Sequence, residues 1–194
     1  MSTGSDAGSQ APLTGRAPAG RAAAAGQQDA ASAGLVAPAG PQPVSPKVSP
    51  HSMYRLHRLL EPNAGYRRLA GWLERRPLLN RLFTSAERSV KKELFGCRMC
   101  GQCALPVTGY ACPMTCPKQL RNGPCGGVGT DGSCEVYPGT RCVWLVAFER
   151  AESEGRSADL TLLQRPIDQR RWESSSWVSY WQGRDEDLVI RAGK

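Results

Sequence analysis

The chain has 194 residues, a formal net charge of +8 and eight cysteines, together with 21 glycines and 15 prolines. A catalytic (β/α)₈ barrel typically needs about 250 residues, so an activity that requires such a scaffold would have to come from a partner chain. No stretch approaches the roughly 20 consecutive apolar residues of a membrane-spanning helix, and we therefore expect no membrane partner.

Residues 1–50 consist mainly of Ala, Gly, Pro, Ser and Gln. Such a composition cannot bury enough apolar surface to offset the entropy lost on ordering, which predicts a disordered N-terminal leader over 1–50. The first residues also lack the basic and apolar regions of a secretory signal, so we expect a cytoplasmic location. In that reducing compartment, clustered thiols bind metals or act in redox chemistry more often than they form structural disulfides.

Residues 51–96 form a basic segment in which apolar side chains recur at helical spacing. The predicted helices run from Met53 to about Pro62, from Tyr66 to Pro77, and from Leu78 to Phe83, and an apolar stripe of Ala86, Val90 and Leu94 continues to the cysteine segment. Thr84 and Glu87 have the spacing of a capping box, which predicts that a helix begins near Thr84. The positive charge is typical of a solvated helix face, and because the chain has no recognised nucleic-acid-binding motif we expect no nucleic-acid partner.

The segment 97–150 contains every cysteine of the chain among closely spaced glycines and prolines. Ordinary core packing does not require so many thiols, so this segment is predicted to be a metal-binding core. The candidate metal ligands are Cys97, Cys100, Cys103, Cys112, Cys116, Cys125, Cys134 and Cys142.

Three of these thiols, in the pattern C-x₂-C-x₂-C from Cys97 to Cys103, lie on one tight loop, and Cys112 and Cys116 are each followed by proline. Eight thiolates suit two sites of four ligands each. The triple favours one or two iron–sulfur clusters, of the 4Fe–4S type, because zinc ribbons usually bring together two separate C-x₂-C pairs. Zinc is the alternative, and a disulfide or a redox dithiol is a third reading.

The remaining side chains provide no catalytic constellation, so we expect no catalysis by this chain alone. His51 and His57 are expected on the surface or at helix caps rather than on a metal. Lys118 and Arg121 either stabilise thiolate charge, contact an anionic partner or face solvent.

After the last cysteine, the apolar run 143–148 is predicted to pack against the cysteine segment as a helical turn or a short strand. Residues 151–194 form a polar tail whose aromatic side chains are expected to cover the domain's own core, with an interface role as the alternative. The predicted fold is a small α-rich, loop-dominated, cysteine-rich metal-binding domain that follows the disordered leader.

The order of these motifs resembles the methylenetetrahydrofolate reductase C-terminal-like domain. The resemblance is dense from about Glu93 to Arg150 and is carried by Leu94-Phe95-Gly96-Cys97, Cys100-Gly101-x-Cys103, Thr108-Gly109-x-x-Cys112-Pro113-Met114-x-Cys116-Pro117-Lys118, Arg121-Asn122-Gly123-Pro124-Cys125-Gly126-Gly127, Gly132-x-Cys134-Glu135-Val136 and Cys142-Val143-Trp144.

In that family the domain is fused to, or encoded beside, a flavin-dependent reductase barrel, and it is associated with iron–sulfur clusters or zinc. The resemblance implies that this chain is the non-flavin accessory subunit of such a reductase in one-carbon metabolism. Its implied partners are a flavin-dependent methylenetetrahydrofolate reductase-like protein and an electron donor protein, with the eight cysteines as ligand candidates.

Overall fold

The computed structural model describes residues 40–190, which fall within one compact unit of the chain. Residues 1–39, most of the predicted leader, lie outside this range. In the described part the chain is α-rich with long loops, as the sequence predicts. Its α-helices are α1 (Pro50–Leu59), α2 (Ala64–Glu74), α3 (Pro77–Phe95), α4 (Val143–Glu152) and α5 (Ser176–Trp181).

Short elements complete the described part. The 3₁₀ turns are Leu105–Val107, Pro113–Thr115, Ser157–Thr161 and Gln169–Arg171. Two short strands, β1 (Leu163–Gln164) and β2 (Val189–Ile190), pair antiparallel with Leu163 opposite Ile190. Between Phe95 and Val143 the chain contains no α-helix, so the cysteine loops are held by turns and by side chains from the helices.

The helix boundaries follow local sequence signals. Proline occupies the first position of α1 and α3, where its missing N–H would have no intrahelical acceptor. Asn63 caps α2 by accepting a hydrogen bond at its side chain from the Tyr66 N–H at 2.9 Å. Gly96 ends α3 in the left-handed region at φ 64°, which is the usual conformation after a helix C-terminus.

The capping box predicted at Thr84 and Glu87 is wrong. Helix α3 is continuous through both residues, and its N-terminus is set by Pro77 instead. The Glu87 side chain is buried and accepts hydrogen bonds from the Ser175 and Ser176 hydroxyls. It also accepts from the N–H of Ser176, the first residue of α5, at 3.2 Å, so it ties α3 to the start of α5 and does not cap its own helix.

The packed part of the chain begins before residue 51. Residues 40–49 form neither helix nor strand and contact the cysteine loops and the end of α3. The Lys47 N–H donates to the Leu94 carbonyl at 3.0 Å, and the Arg150 guanidinium donates to the Val48 carbonyl at 2.8 Å. The predicted leader boundary at residue 50 is thus too late, because a proline-rich composition does not prevent a short segment from pairing with a folded surface.

The run 143–148 forms the first half of α4, a helix and not a strand, and packs against the cysteine segment as predicted. The tail also covers the core as predicted. The Trp181 ring stacks on Tyr66 of α2 with ring centroids 5.0 Å apart, and its indole N–H donates to the Leu60 carbonyl. The segment after residue 150 is therefore part of the same folded body.

No helix within residues 40–190 has the length and apolar character needed to cross a lipid bilayer.

A buried ion pair connects α3 and α5. Lys91 Nζ lies 2.7 Å from Glu87 Oε1 one turn away, and it also donates to the Ser176 hydroxyl. Although burial alone would lower the pKa of Lys91, the neighbouring Cys103 and Glu87 raise it above its ordinary value. Lys91 is therefore charged at neutral pH, and so is available to both Glu87 and the thiols.

Replacing Lys91 with methionine is expected to destabilise the protein by about 3–5 kcal/mol, because it leaves the Glu87 carboxylate buried without its cation. Chemical denaturation at matched metal content measures this loss. Lys92→Met, at the exposed neighbouring position, is the control and is expected to change stability by less than about 0.5 kcal/mol. Equal effects of the two substitutions would show that the ion pair does not hold α3 to α5.

Candidate metal centre

The fold divides the eight cysteines into two groups of four. The first thiol group, Cys97, Cys100, Cys103 and Cys112, lines one small cavity. The second thiol group, Cys116, Cys125, Cys134 and Cys142, lines another. Sequence reasoning predicted two sites of four ligands but left their membership open, and each group proves to be contiguous along the chain.

Electrostatics support the first group as a unit. Burial, with a smaller contribution from Cys103, raises the pKa of the Cys97 thiol to about 11. Burial likewise raises the pKa of Cys112 well above its ordinary value, with added contributions from Cys97, Cys100 and Cys103. As free thiols these groups are protonated at neutral pH, and a metal ion would bind them with release of protons.

Backbone amides point at three sulfurs of the first group. The Met99 N–H donates to Cys97 Sγ at 3.3 Å. Hydrogen bonds from the Leu105 and Met114 amides act in the same way on Cys103 and Cys112, where they oppose the rise in pKa. In each case the donor is two residues after the cysteine, and such N–H···S bonds stabilise thiolate ligands of metals.

The first loop requires two residues in the left-handed region. Met99 has φ 52° and is buried, and Gly101 has φ 71°. A Cβ on Gly101 would lie 2.3 Å from the Arg171 carbonyl oxygen and 2.4 Å from Ser174 Oγ. Glycine at position 101 therefore allows both the left-handed turn and the close approach of the tail residues Arg171 and Ser174 to this loop.

The tail also holds this loop by hydrogen bonds. The Glu173 N–H donates to the Met99 carbonyl at 2.7 Å. The Gln102 side chain accepts from the Asp168 N–H and donates to the Asp168 carbonyl, both at 3.1 Å. These bonds fix the backbone between the first three cysteines.

Two cations lie near the first group. Arg121 is 9% exposed, and its Nη1 lies 4.0 Å from Cys100 Sγ. Lys91 opposes the rise in the pKa of Cys103, whose larger cause is burial. Of the readings proposed for Arg121, the structure favours stabilisation of thiolate charge, because the side chain is too buried to meet solvent or an anionic partner.

The second thiol group is assembled from three loops and a helix start. An isolated antiparallel bridge joins Ser133 to Arg141, and the Cys134 and Cys142 N–H groups donate across it to the Thr140 and Gly132 carbonyls at 2.8 and 2.9 Å, so both cysteines are held in one turn. The Trp144 indole N–H donates to the Leu120 carbonyl at 3.1 Å and so holds the loop after Cys116 against α4. Cys116 and Cys142 belong to the same apolar cluster as Trp144.

Cys142 occupies the N-cap position of α4. Lys118, for which sequence left several roles open, pairs with Glu135, and this ion pair links the Cys116 loop to the Cys134 loop.

The donor sets fit Cys₄ ligation of the kind that zinc and iron–sulfur clusters accept. Within residues 40–190, no three His, Cys, Asp or Glu side chains already converge at the spacing of a bound metal ion. The cavities are small, about 20 Å³ in the first group and about 10 Å³ in the second. Binding would therefore adjust the thiols, with a larger adjustment for a cluster than for a single ion.

The histidines lie away from both groups, as expected. His51 Nδ1 lies 3.2 Å from a Glu154 carboxylate oxygen. The His57 ring packs on Tyr180 with centroids 4.7 Å apart, and burial lowers its pKa. Neither lines the cavity of a thiol group.

The fold and the two thiol groups together define a small α-helical, cysteine-rich protein with two candidate four-cysteine centres. A family model described as methylene-tetrahydrofolate reductase C terminal matches residues 76–170. The match confirms the resemblance found in the sequence and extends it beyond Glu93 and Arg150 on both sides. Searches of curated proteins and of solved structures find no significant match.

Several residues that support the centres were not singled out in the sequence. The Gln102 side chain and the Arg171 carbonyl act through contacts across more than 60 residues, for which the sequence carries no local signal. The Glu87–Lys91 pair did have a local sequence signal, because oppositely charged residues four positions apart share a helix face. The capping-box reading of Glu87 obscured it.

Alanine substitutions test the grouping through metal content. Cys97→Ala is expected to remove the metal of the first group only, and Cys134→Ala that of the second only, because three thiolates do not complete a Cys₄ site. The pair Cys97→Ala with Cys112→Ala should lose no more than either alone, whereas Cys97→Ala with Cys134→Ala should lose both. Elemental analysis measures the metal bound per chain in each variant. If Cys97→Ala and Cys112→Ala removed metal additively, the grouping would be contradicted.

Gly101→Ala is expected to destabilise the protein by at least about 1–2 kcal/mol, the cost of a left-handed alanine, and to lower the metal content of the first group. Gly126→Ala is the matched control, because a Cβ there meets nothing within 4 Å. Denaturation and metal analysis of both variants provide the comparison. Equal behaviour of the two would mean that the tail does not constrain the first loop.

Proposed function

We propose that this chain is a metal-binding accessory subunit that relays electrons to a flavin-dependent methylenetetrahydrofolate reductase. The observation that carries the proposal is the division of eight thiols into two sets of four, each around its own cavity. The family description supports the connection with the reductase. A reducing, cytoplasmic setting fits a protein with eight free thiols.

The first group is the proposed iron–sulfur centre. Its three closely spaced cysteines, its N–H···S bonds and its two nearby cations are the features by which proteins hold such clusters and set their potential. When bound, a cluster supplies one-electron chemistry between a donor protein and the partner's flavin. The residues of this chain bind it, exclude water and supply positive charge from Lys91 and Arg121.

The second group is the proposed site of the other centre. Cys142 at the start of α4 and the Lys118–Glu135 ion pair hold it together, and its cavity is lined mainly by apolar side chains. Within residues 40–190, the cation on its lining, Lys118, is paired with Glu135 and makes no hydrogen bond to the sulfurs. This simpler environment fits a structural role beside the redox role of the first group.

A zinc-stabilised interaction module without a redox role is the second candidate. The small size of both cavities favours it, because each is large enough for one atom and a single ion needs less adjustment than a cluster. In that case zinc would contribute to folding outright, and a chelator would unfold the chain and abolish partner binding together.

Anaerobic isolation of the full chain, followed by elemental analysis and optical and electron paramagnetic resonance spectra, separates the two candidates. The electron-relay proposal predicts iron, acid-labile sulfide and a visible absorption that dithionite bleaches and oxidised flavin restores. Cys103→Ala should abolish this reversible bleaching. Colourless protein with stoichiometric zinc and no iron would overturn the relay and support the interaction module.

A further inference from the structure

Most of the exposed large apolar side chains lie on the three N-terminal helices. Of the eleven that are exposed within residues 40–190, eight belong to α1, α2 and α3. Leu59, Leu78 and Leu82 are each more than two-thirds exposed. Apolar side chains concentrated on one part of a surface mark a site of interaction, whereas single ones need no explanation.

Helix α3 carries a regular apolar stripe on its exposed side. Leu78, Leu82, Ala86 and Val90 are all exposed and follow one another at intervals of four residues. This spacing places them along one face of the helix. The buried side chains of α3, which connect it to α5, lie on a different face. The stripe is therefore a second apolar face that packing within the described part of the chain does not use.

The stripe borders a groove of about 570 Å³ between α1, α3 and α5. Ala86 and Val90 line the groove on one side and Leu56 lines it on the other, and the rest of its lining is mainly apolar. The lining residues of α3 run from Phe83 to Phe95, a length of roughly 18 Å or about three helical turns. A groove of this length and character fits the apolar face of a helix.

The same three helices carry uncompensated positive charge. Residues 50–96 contain ten lysines and arginines but only four glutamates, a net charge of +6. Three of the glutamates are already paired with a lysine or an arginine. The arginines of this segment other than Arg88 are exposed and form no ion pair within residues 40–190. An occupant with carboxylates at its edges would supply their partners.

We propose that the groove between α1 and α3 binds an acidic amphipathic helix of a partner protein. The apolar face of that helix lies on Leu56, Ala86 and Val90, and its carboxylates pair with the exposed arginines. Cys103 also lines the groove, so the bound helix lies beside the first thiol group. The inference rests on the functions proposed above only in that each of them requires a partner.

Other occupants fit these observations less well. A second copy of this chain would bring two sets of unpaired arginines together, and like charges across an interface oppose association. A bilayer surface would cover Leu78 and Leu82, but it is flat and does not enter a groove. A nucleic acid would pair with the arginines through its phosphates and leave the apolar stripe without a partner.

Fluorescence anisotropy of a labelled helical peptide tests the proposal on the full chain. The peptide has three heptads, with leucine at the a and d positions and glutamate at the e and g positions. Saturable binding of one peptide per chain is expected, and it should weaken as salt is added because the charge pairs are screened. The counterpart peptide with lysine at e and g should bind at least about tenfold more weakly.

The substitution Ala86→Arg separates docking in the groove from simple charge attraction. It obstructs the groove while adding a positive charge, so docking predicts at least about tenfold weaker binding of the acidic peptide, and charge attraction alone predicts no loss. Phe148→Arg adds the same charge at a 47% exposed position of α4 outside the groove. This control should leave the affinity within about twofold.

Absence of saturable binding, equal binding of the two peptides or an unchanged affinity of Ala86→Arg would each overturn the proposal. A dimer in sedimentation velocity that Leu82→Glu dissociates would do so as well, because a second copy would then cover the stripe. Cosedimentation with phosphatidylserine vesicles that Leu82→Glu abolishes would replace the partner helix with a membrane surface. Metal content measured on the same samples keeps a failure of this inference distinct from a failure of the functions proposed above.

Discussion

The cysteine region depends on the two helix ends that bracket it. Helix α3 ends at Phe95, two residues before Cys97, and α4 begins at Val143, directly after Cys142. A segment with no α-helix of its own is thus fixed at both ends by rigid elements. The left-handed Gly96 turns the chain out of α3 toward the first loop. Cys142 stands at the N-cap of α4.

Each thiol group has its own support. The first is held by the tail, which contacts Gly101 and Gln102, and by Lys91 and Arg121, which bring positive charge to its sulfurs. The second is held by an apolar cluster around Trp144 and by the link between Lys118 and Glu135. The first group therefore has cations beside its sulfurs, whereas the second is enclosed mainly by apolar packing.

The sequence predicted what local patterns determine. Helical spacing and prolines located α1, α2 and α3, and cysteine density identified all eight ligand candidates. Helix content and the family segment are confirmed. The predicted Thr84–Glu87 capping box was wrong because burial of Glu87 against α5 overrides the local motif. Residues 40–49 were assigned to the leader because their contacts are with residues far along the chain, which composition does not reveal. The Gln102 and Arg171 contacts needed the fold, since each joins segments far apart in sequence.

X-ray absorption at the metal edge of anaerobically isolated protein tests the central claim, that the chain forms two all-cysteine centres. Four sulfur neighbours per metal and no nitrogen or oxygen neighbours are expected. In a cluster, bridging sulfide supplies some of these sulfur neighbours, and for zinc the metal–sulfur distances would be about 2.3 Å. Replacing Cys97 or Cys134 should halve the number of occupied sites and leave the remaining coordination unchanged. Nitrogen or oxygen ligands in the unmodified protein, or a metal-free chain with its cysteines in disulfides, would contradict it.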